Sequence, residues 1–320
     1  MTVSAGNGRR KRHGLGRRLI LRHAYLLIAD RNFKQLKKLI SVLDDARNDI
    51  YLLIDRKSRN APAPAEFSTS FSKLVPVSRI PIYWGDYSQV QAELNLLKAA
   101  APQHYAYYHL LSGLDLPLAD QDTIHDFFDA HPGMEFITYS AMGNAKDLRR
   151  RVSPHINRKS YRSRKLQDRI LMKAQKSLFD LFPFYEKEIP LDRIGYGSNW
   201  FSIDDDLAQT IVNEEDRIFK VFGKGYLVDE LLVQTAVNMH PEFRDKVYCS
   251  KPVHDRPEEL QGNLRYINWW DGRPYTWRAG DLDRLKAARE AGHLFSRKFD
   301  ERVDGKIIEL VITQMIGKNI

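Results

Sequence analysis

Cysteine is almost absent from this 320-residue chain: Cys249 stands alone, so no intramolecular disulfide can form and no thiolate cluster can hold zinc. No apolar run approaches the roughly eighteen residues that a bilayer-spanning helix needs. The phosphate-cradling patterns G-x-G-x-x-G and G-x-x-x-x-G-K-[ST] are missing, which removes the usual basis for dinucleotide binding and P-loop chemistry. So are G-x-S-x-G and H-E-x-x-H, and with them the hydrolase elbow and the zinc-protease helix. Arg9 to Arg12 and Arg17-Arg18 imitate the start of a signal peptide. The apolar run behind them is broken by Arg22 and His23, ends at Asp30 and offers no small-residue cleavage site. The expectation is a cytoplasmic protein.

What is present is a composition able to bury a core, 43% hydrophobic and 11% aromatic, and a net charge of +9 that is unevenly spread. Residues 1–18 hold six Lys/Arg and no acid, and residues 147–176 hold eleven against two. The remainder is net negative. Cationic segments of this kind attract polyanions or anionic lipid headgroups.

The first 140 residues alternate between strand-like and helix-like texture. Tyr25–Ala29, Ile50–Ile54, Tyr107–Leu111 and Met134–Thr138 read as short buried strands. Asn32 is a candidate cap for a helix carrying Phe33, Leu36, Ile40 and Leu43, and Ser88 with Gln91 forms a capping-box pattern. A second helix pattern runs from Thr123 to Ala130. This alternation predicts an α/β fold with a doubly wound, mainly parallel sheet flanked by helices, in a single domain. The expected organisation is a basic disordered tail over 1–20, a domain over 21–304 with a basic helical insertion at 147–190, and a C-terminal helix over 305–320. Ligands of such sheets sit outside the carboxyl ends of the strands, which points to Asp55 and to the loop from Ser112 to Pro117.

Three D-x-D triplets, at Asp120, Asp204 and Asp281, begin apparent helices, where capping is the favoured role. Asp204 alone closely follows a strand-like run and is the triplet to test for a metal. Asp229-Glu230 precedes the apolar helical start Leu231–Thr235, as a cap or as a general base beside an apolar wall. Trp269-Trp270 offers aromatic platforms for a sugar face. In Phe295-Ser-Arg-Lys-Phe-Asp300, two cations lie between aromatic rings, a way to fix one positive charge in a cleft.

Several of these segments, in order, resemble the core-2/I-branching β-1,6-N-acetylglucosaminyltransferases (glycosyltransferase family 14) and the related peptide O-xylosyltransferases. The matching pieces are Tyr51–Ser58, Trp84–Ser88 with Val90 and Ala92, Leu110–Pro117, Gly197–Phe201, Asp229-Glu230 with Gln234-Thr235, Arg265–Trp269 and Phe295–Asp300. The resemblance implies a GT-A-type fold and an inverting transfer from a nucleotide sugar, a UDP-sugar, without a metal cofactor. It makes Glu230 the general base and Lys298 a cation on the departing diphosphate, with Arg273 or Arg278 as its partner. Arg297 is assigned a structural role. Asp55, Ser112, Gly113 and Asp115 would lie at the nucleotide, and Trp200, Asp229, Trp269 and Trp270 at the acceptor or sugar.

Animal members carry a membrane anchor and disulfides, neither of which appears in this sequence. That departure suggests a bacterial enzyme acting on a glycan or lipid-linked glycan in capsule or exopolysaccharide synthesis. Its basic segments would then contact an anionic membrane surface at the inner face of the cell membrane. The alternative from another class is a non-catalytic nucleic-acid- or polyanion-binding protein, but the basic segments lack interleaved aromatics and any recognition motif.

Overall fold

The computed structural model describes residues 22–140, 145–154, 165–181, 189–252 and 259–318. The basic tail over 1–20 and part of the basic segment 147–190 lie outside the described residues. In chain order the first half comprises β1 (His23–Ala29), α1 (Phe33–Leu43), β2 (Asn48–Ile54), β3 (Lys73–Val77), α2 (Ser88–Ala100), β4 (Tyr107–Ser112), β5 (Asp115–Pro117) and α3 (Gln121–Asp129). The second half comprises α4 (Ala145–Val152), α5 (Leu166–Leu181), β6 (Ser202–Ile203), α6 (Asp205–Asn213), α7 (Glu215–Phe222) and α8 (Leu232–Met239). It continues with α9 (Pro241–Arg244), β7 (Arg265–Ile267), α10 (Leu282–Glu290), β8 (Phe295–Arg297) and α11 (Glu301–Leu310), which runs into a π-helical stretch, Val311–Ile316.

The larger sheet has the order β3-β2-β1-β4-β6, parallel throughout except for the antiparallel edge strand β6. Its central strands are apolar on both faces. Tyr25, Leu27 and Ala29 of β1 enter one core, whereas Ala24 and Leu26 enter the other. A strand alternates its side chains across the sheet, so a fully apolar run demands helices on both sides. The smaller sheet, β5-β8-β7, sets β8 antiparallel to β5 and parallel to β7. The expected mainly parallel α/β architecture is therefore present. No helix among the described residues is long and apolar enough to cross a membrane.

Local expectations differ from the structure at four places. Met134–Thr138 is not a regular strand, and only isolated bridges form there, from Glu135 to Val247 and from Phe136 to Ser202. The Ser88–Gln91 capping box does not form. Ser88 Oγ instead accepts from Tyr83 N at 2.9 Å, and Gln91 donates to Asn95. Asn32 stands at the N-cap of α1 with φ 54 and makes no side-chain cap bond; its amide donates to Asp300 at 2.8 Å. The Asp281 carboxylate reaches back to Arg278 N at 2.9 Å rather than forward into α10.

One buried side chain ties together the loops at the carboxyl ends of the strands. Gln35, fully buried on α1, donates to Gly113 O and Phe299 O at 3.1 Å each and accepts from Glu301 N at 2.9 Å. It links the loop after β4, the segment after β8 and the start of α11. Gln35→Leu strands three buried backbone groups and is expected to cost roughly 2–4 kcal/mol, read as a lower urea midpoint at unchanged slope.

Candidate active site

Arg297 organises the cationic side of the site. It stands directly opposite Asp115 across β5 and β8. Its guanidinium donates to Asp115 Oδ1 at 2.8 Å and to Ser112 Oγ, and lies 4.5 Å from the centre of the Trp200 ring. Asp115 in turn accepts from Ser112 N at 2.7 Å and Ser112 Oγ at 2.9 Å. Gly113 N donates to Ile28 O at 2.9 Å, locking this loop beside the end of β1. The carboxylate of Asp115 is thus fully engaged with protein groups. The next residue along, Lys298, is half-buried, and its side-chain ammonium has no hydrogen-bond or ion-pair partner among the described residues. Burial, followed by the fields of Arg31 and Arg297, lowers its pKa.

The cations that Lys298 feels most are Arg31, Arg297 and Arg302. Arg31 follows β1, pairs with Asp30 at 2.6 Å and has a buried Nε without a partner. Arg302 is bound to Asp300, whose carboxyl is held below its ordinary range chiefly by that arginine. Arg273 and Arg278 are both exposed. Arg278 follows Trp277, whose backbone N–H donates to the Lys298 carbonyl at 3.0 Å. Arg273 lies in the turn Gly272–Pro274, farther along that excursion. Arg31 was not singled out from the sequence. Its signal was its place at the carboxyl end of a central strand.

Glu230 supplies the acidic side. Its side chain is 34% exposed, and Oε2 accepts from Arg151 Nη1 at 2.6 Å. Arg151, on α4, is 12% exposed, lies 4.5 Å from the Tyr196 ring centre and also donates to Leu227 O. The basic segment was expected to face outward, yet this arginine faces the carboxylate. Asp229 is buried beneath Glu230. Gln89 donates to its Oδ2 at 2.9 Å, and Oδ1 is sealed without a partner. Burial, with Glu230 adding, pushes its pKa up to about 7. Glu93 of α2, fully buried, is pushed up well above the carboxylate range by burial and by Asp229.

The segment Gly197–Trp200 joins the two sides. Gly197 N donates to Glu230 O at 2.9 Å, and the Trp200 ring takes the guanidinium of Arg297. Gln234 holds the segment from below, donating to Thr138 O at 3.0 Å and Ser198 O at 2.7 Å. A Cβ on Gly197 would come within 1.8 Å of Thr138 O, so no larger residue fits this backbone. Trp269 is 53% exposed and follows β7, whose Ile267 pairs with Arg297; it leaves the sheet next to Lys298. Trp270 instead packs on Tyr266, with ring centres 6.2 Å apart.

Other candidates are engaged locally. Asp55 lies at the end of β2, where its carboxylate accepts from Lys57 N and Ile82 N and pairs with Lys57 at 3.4 Å. Asp120 and Asp204 cap α3 and α6, accepting from Thr123 N and Leu207 N. Asp204 also pairs with Lys246 at 3.4 Å. Arg265, within one of the resemblance segments, is fully buried among carbonyls, and burial pushes it down to about 9. His23, His109 and His125, scattered in sequence, converge inside the core, with the His23 and His125 rings stacked at 4.0 Å and burial disfavouring their cationic forms.

Asp229 yields a signed test. A carboxyl raised on folding binds its proton more tightly in the native state, so its contribution favours folding at low pH and is lost as the pH climbs from about 4 to about 7. Relative to Asp229→Asn, the wild type is expected to lose up to about 4 kcal/mol over that window. Denaturant unfolding of both proteins at pH 5 and pH 8 checks this, and a constant difference would contradict it.

Among solved structures, the chain is similar to S. aureus TarS 1-349, at 12% identity and a TM-score of 0.33, over 68% of this chain and 56% of that one. It is also similar to mouse xyloside xylosyltransferase 1 in its apo form, at 11% identity and a TM-score of 0.33, over 85% of this chain and 96% of that one. At such scores neither likeness carries an argument about individual residues. No curated protein matches the chain in sequence. The model of the Core-2/I-Branching enzyme family matches residues 23–287, a span that contains β1 to α8, Glu230 and the Trp269 segment. By that match over most of its length, the chain belongs to the Core-2/I-Branching enzyme family of glycosyltransferases.

Proposed function

We propose that this glycosyltransferase is inverting and metal-independent, and that it moves a sugar from a UDP-sugar to a hydroxyl of a glycan or lipid-linked glycan at a membrane surface. The observation that carries this reading is the Gly197–Trp200 bridge, bonded to Glu230 at one end and stacked on Arg297, next to Lys298, at the other. Base and cation then belong to one cleft.

In this reading Glu230 accepts the proton of the acceptor hydroxyl as that oxygen attacks the anomeric carbon and the diphosphate departs from the opposite face. Glu230 must exchange its bond with Arg151 for one to the acceptor, and Arg151 keeps the carboxylate oriented until then. Lys298 meets the leaving diphosphate. Among the described residues it has no ion-pair partner, and the fields of Arg31 and Arg297 act against its charge, so an arriving dianion relieves repulsion and gains attraction where the lysine is partly desolvated. Trp269, exposed beside Lys298, offers its face to a sugar ring. Neither Arg273 nor Arg278 is among the cations that act most on Lys298, which are Arg31, Arg297 and Arg302. The polyanion-binding alternative gains no support from Arg151, which is turned inward.

Three outcomes follow, two for UDP release in a donor screen and one for UDP binding. Activity persists in excess EDTA, and its complete loss there would end the metal-independent reading. Glu230→Gln lowers kcat by about 10²–10⁴-fold, as removal of a general base does, with little change in donor KM. Lys298→Met weakens UDP binding measured by calorimetry, whereas Glu230→Gln leaves it nearly unchanged.

A further inference from the structure

Helix α5 has an exposed apolar face that the site does not explain. Leu166 is 70% exposed, Ile170 61%, Leu171 40%, Leu178 43% and Leu181 74%, half of the large hydrophobic side chains exposed among the described residues. At 100° per residue these five fall on one arc of about 140°, together with the small residues Ala174 and Ser177. Just beyond the other edge of the arc, about 40° past Leu171, lies the buried Gln175, whose amide reaches Pro154 O at 3.5 Å, just past the end of α4. On the flank that runs from one edge of the arc round to its far side stand Lys173, Arg169 and Lys165, about 20°, 60° and 100° beyond Leu166 and all exposed. A helix of this make-up, leucine-rich on one face and basic at its edge, fits the boundary between acyl chains and anionic headgroups.

We infer that α5 docks on an anionic lipid surface, with Leu166, Ile170, Leu178 and Leu181 entering the acyl boundary and the cations of the adjoining flank, Lys173 and Arg169 first, meeting the phosphates. Charge complementarity selects lipid over a second copy of this chain, because a twofold pairing of α5 would bring its basic margins near one another. The docked helix packs against α4, whose Arg151 holds Glu230. The membrane and the base are therefore linked through two adjacent helices, which suits an acceptor carried on a lipid. The inference deepens the membrane part of the proposed function. Lipid binding is read without turnover, so the two can fail separately.

The test uses the full chain and vesicles of phosphatidylcholine with 30% phosphatidylglycerol, with phosphatidylcholine alone for comparison, in sedimentation at about 0.1 M and 0.5 M NaCl. Wild type is expected to bind the anionic vesicles and to retain a measurable part of that binding at the higher salt. Leu166→Ser/Ile170→Ser/Leu181→Ser should lose at least tenfold in affinity, with UDP release from soluble donor and the thermal midpoint unchanged. Lys165→Ser/Arg169→Ser/Lys173→Ser should bind more weakly at low salt and show a shallower salt dependence. Should the apolar variant unfold, Leu166→Glu/Leu181→Glu repeats the measurement with charge that repels the surface. Binding by the apolar variant within twofold of wild type overturns the inference. So does a wild-type dimer that this variant converts to a monomer without any loss of vesicle binding.

Discussion

The arrangement around Lys298 depends on the ion pair between Arg297 and Asp115. It closes across the only register that aligns β5 with β8, and both partners are largely withdrawn from water. Such a pair adds little net stability over an apolar one, but breaking it leaves a buried charge unmatched. Its value here is positional. With Arg297 committed to Asp115, Ser112 and the face of Trp200, the next residue, Lys298, is left half-buried, its ammonium without an ion-pair partner among the described residues. The flanking rings Phe295 and Phe299 are fully buried and hold the segment from both sides.

The carboxylate end obeys a different constraint. Three acidic side chains, Glu93, Asp229 and Glu230, come from α2 and from the loop before α8, and only Glu230 has both solvent access and a cationic partner. Burial disfavours ionisation of the other two. Desolvation thus sets the two buried carboxyls apart from Glu230, which keeps access to solvent. Gln89 and Gly197 tie this cluster to the segments around Trp84 and Trp200, which explains why sequence blocks far apart act as one site.

Much of the scaffold was legible because its strongest elements are chemically uniform. β1, β2 and β4 are buried on both faces and read as continuous apolar runs. β5, β7 and β8 have three residues each and mixed character, too short for a period to emerge, and β3 carries a proline and an exposed lysine. Helix starts at Asp120 and Asp204 were legible because an N-cap is a local hydrogen bond. Asn32 and Ser88 look like caps by the same local rule, but each is drawn to a partner elsewhere: Asn32 to Asp300, 268 residues away, and Ser88 to Tyr83.

The sequence by itself determined the family, the α/β order and the two residues on which the chemistry is proposed to turn, Glu230 and Lys298, because each sits in a short contiguous motif. The tertiary structure alone decided their surroundings: Arg151 on Glu230, Gln89 and Glu93 around Asp229, Arg31 near Lys298, and Asp115 on Arg297. None of these is a neighbour in sequence. Coulomb interactions and desolvation depend on distance through space, so no pattern of residue types along the chain could report them. The same holds for α5. Its apolar and basic margins can be read from helical spacing, but which face is left uncovered is settled only when the other helices have packed.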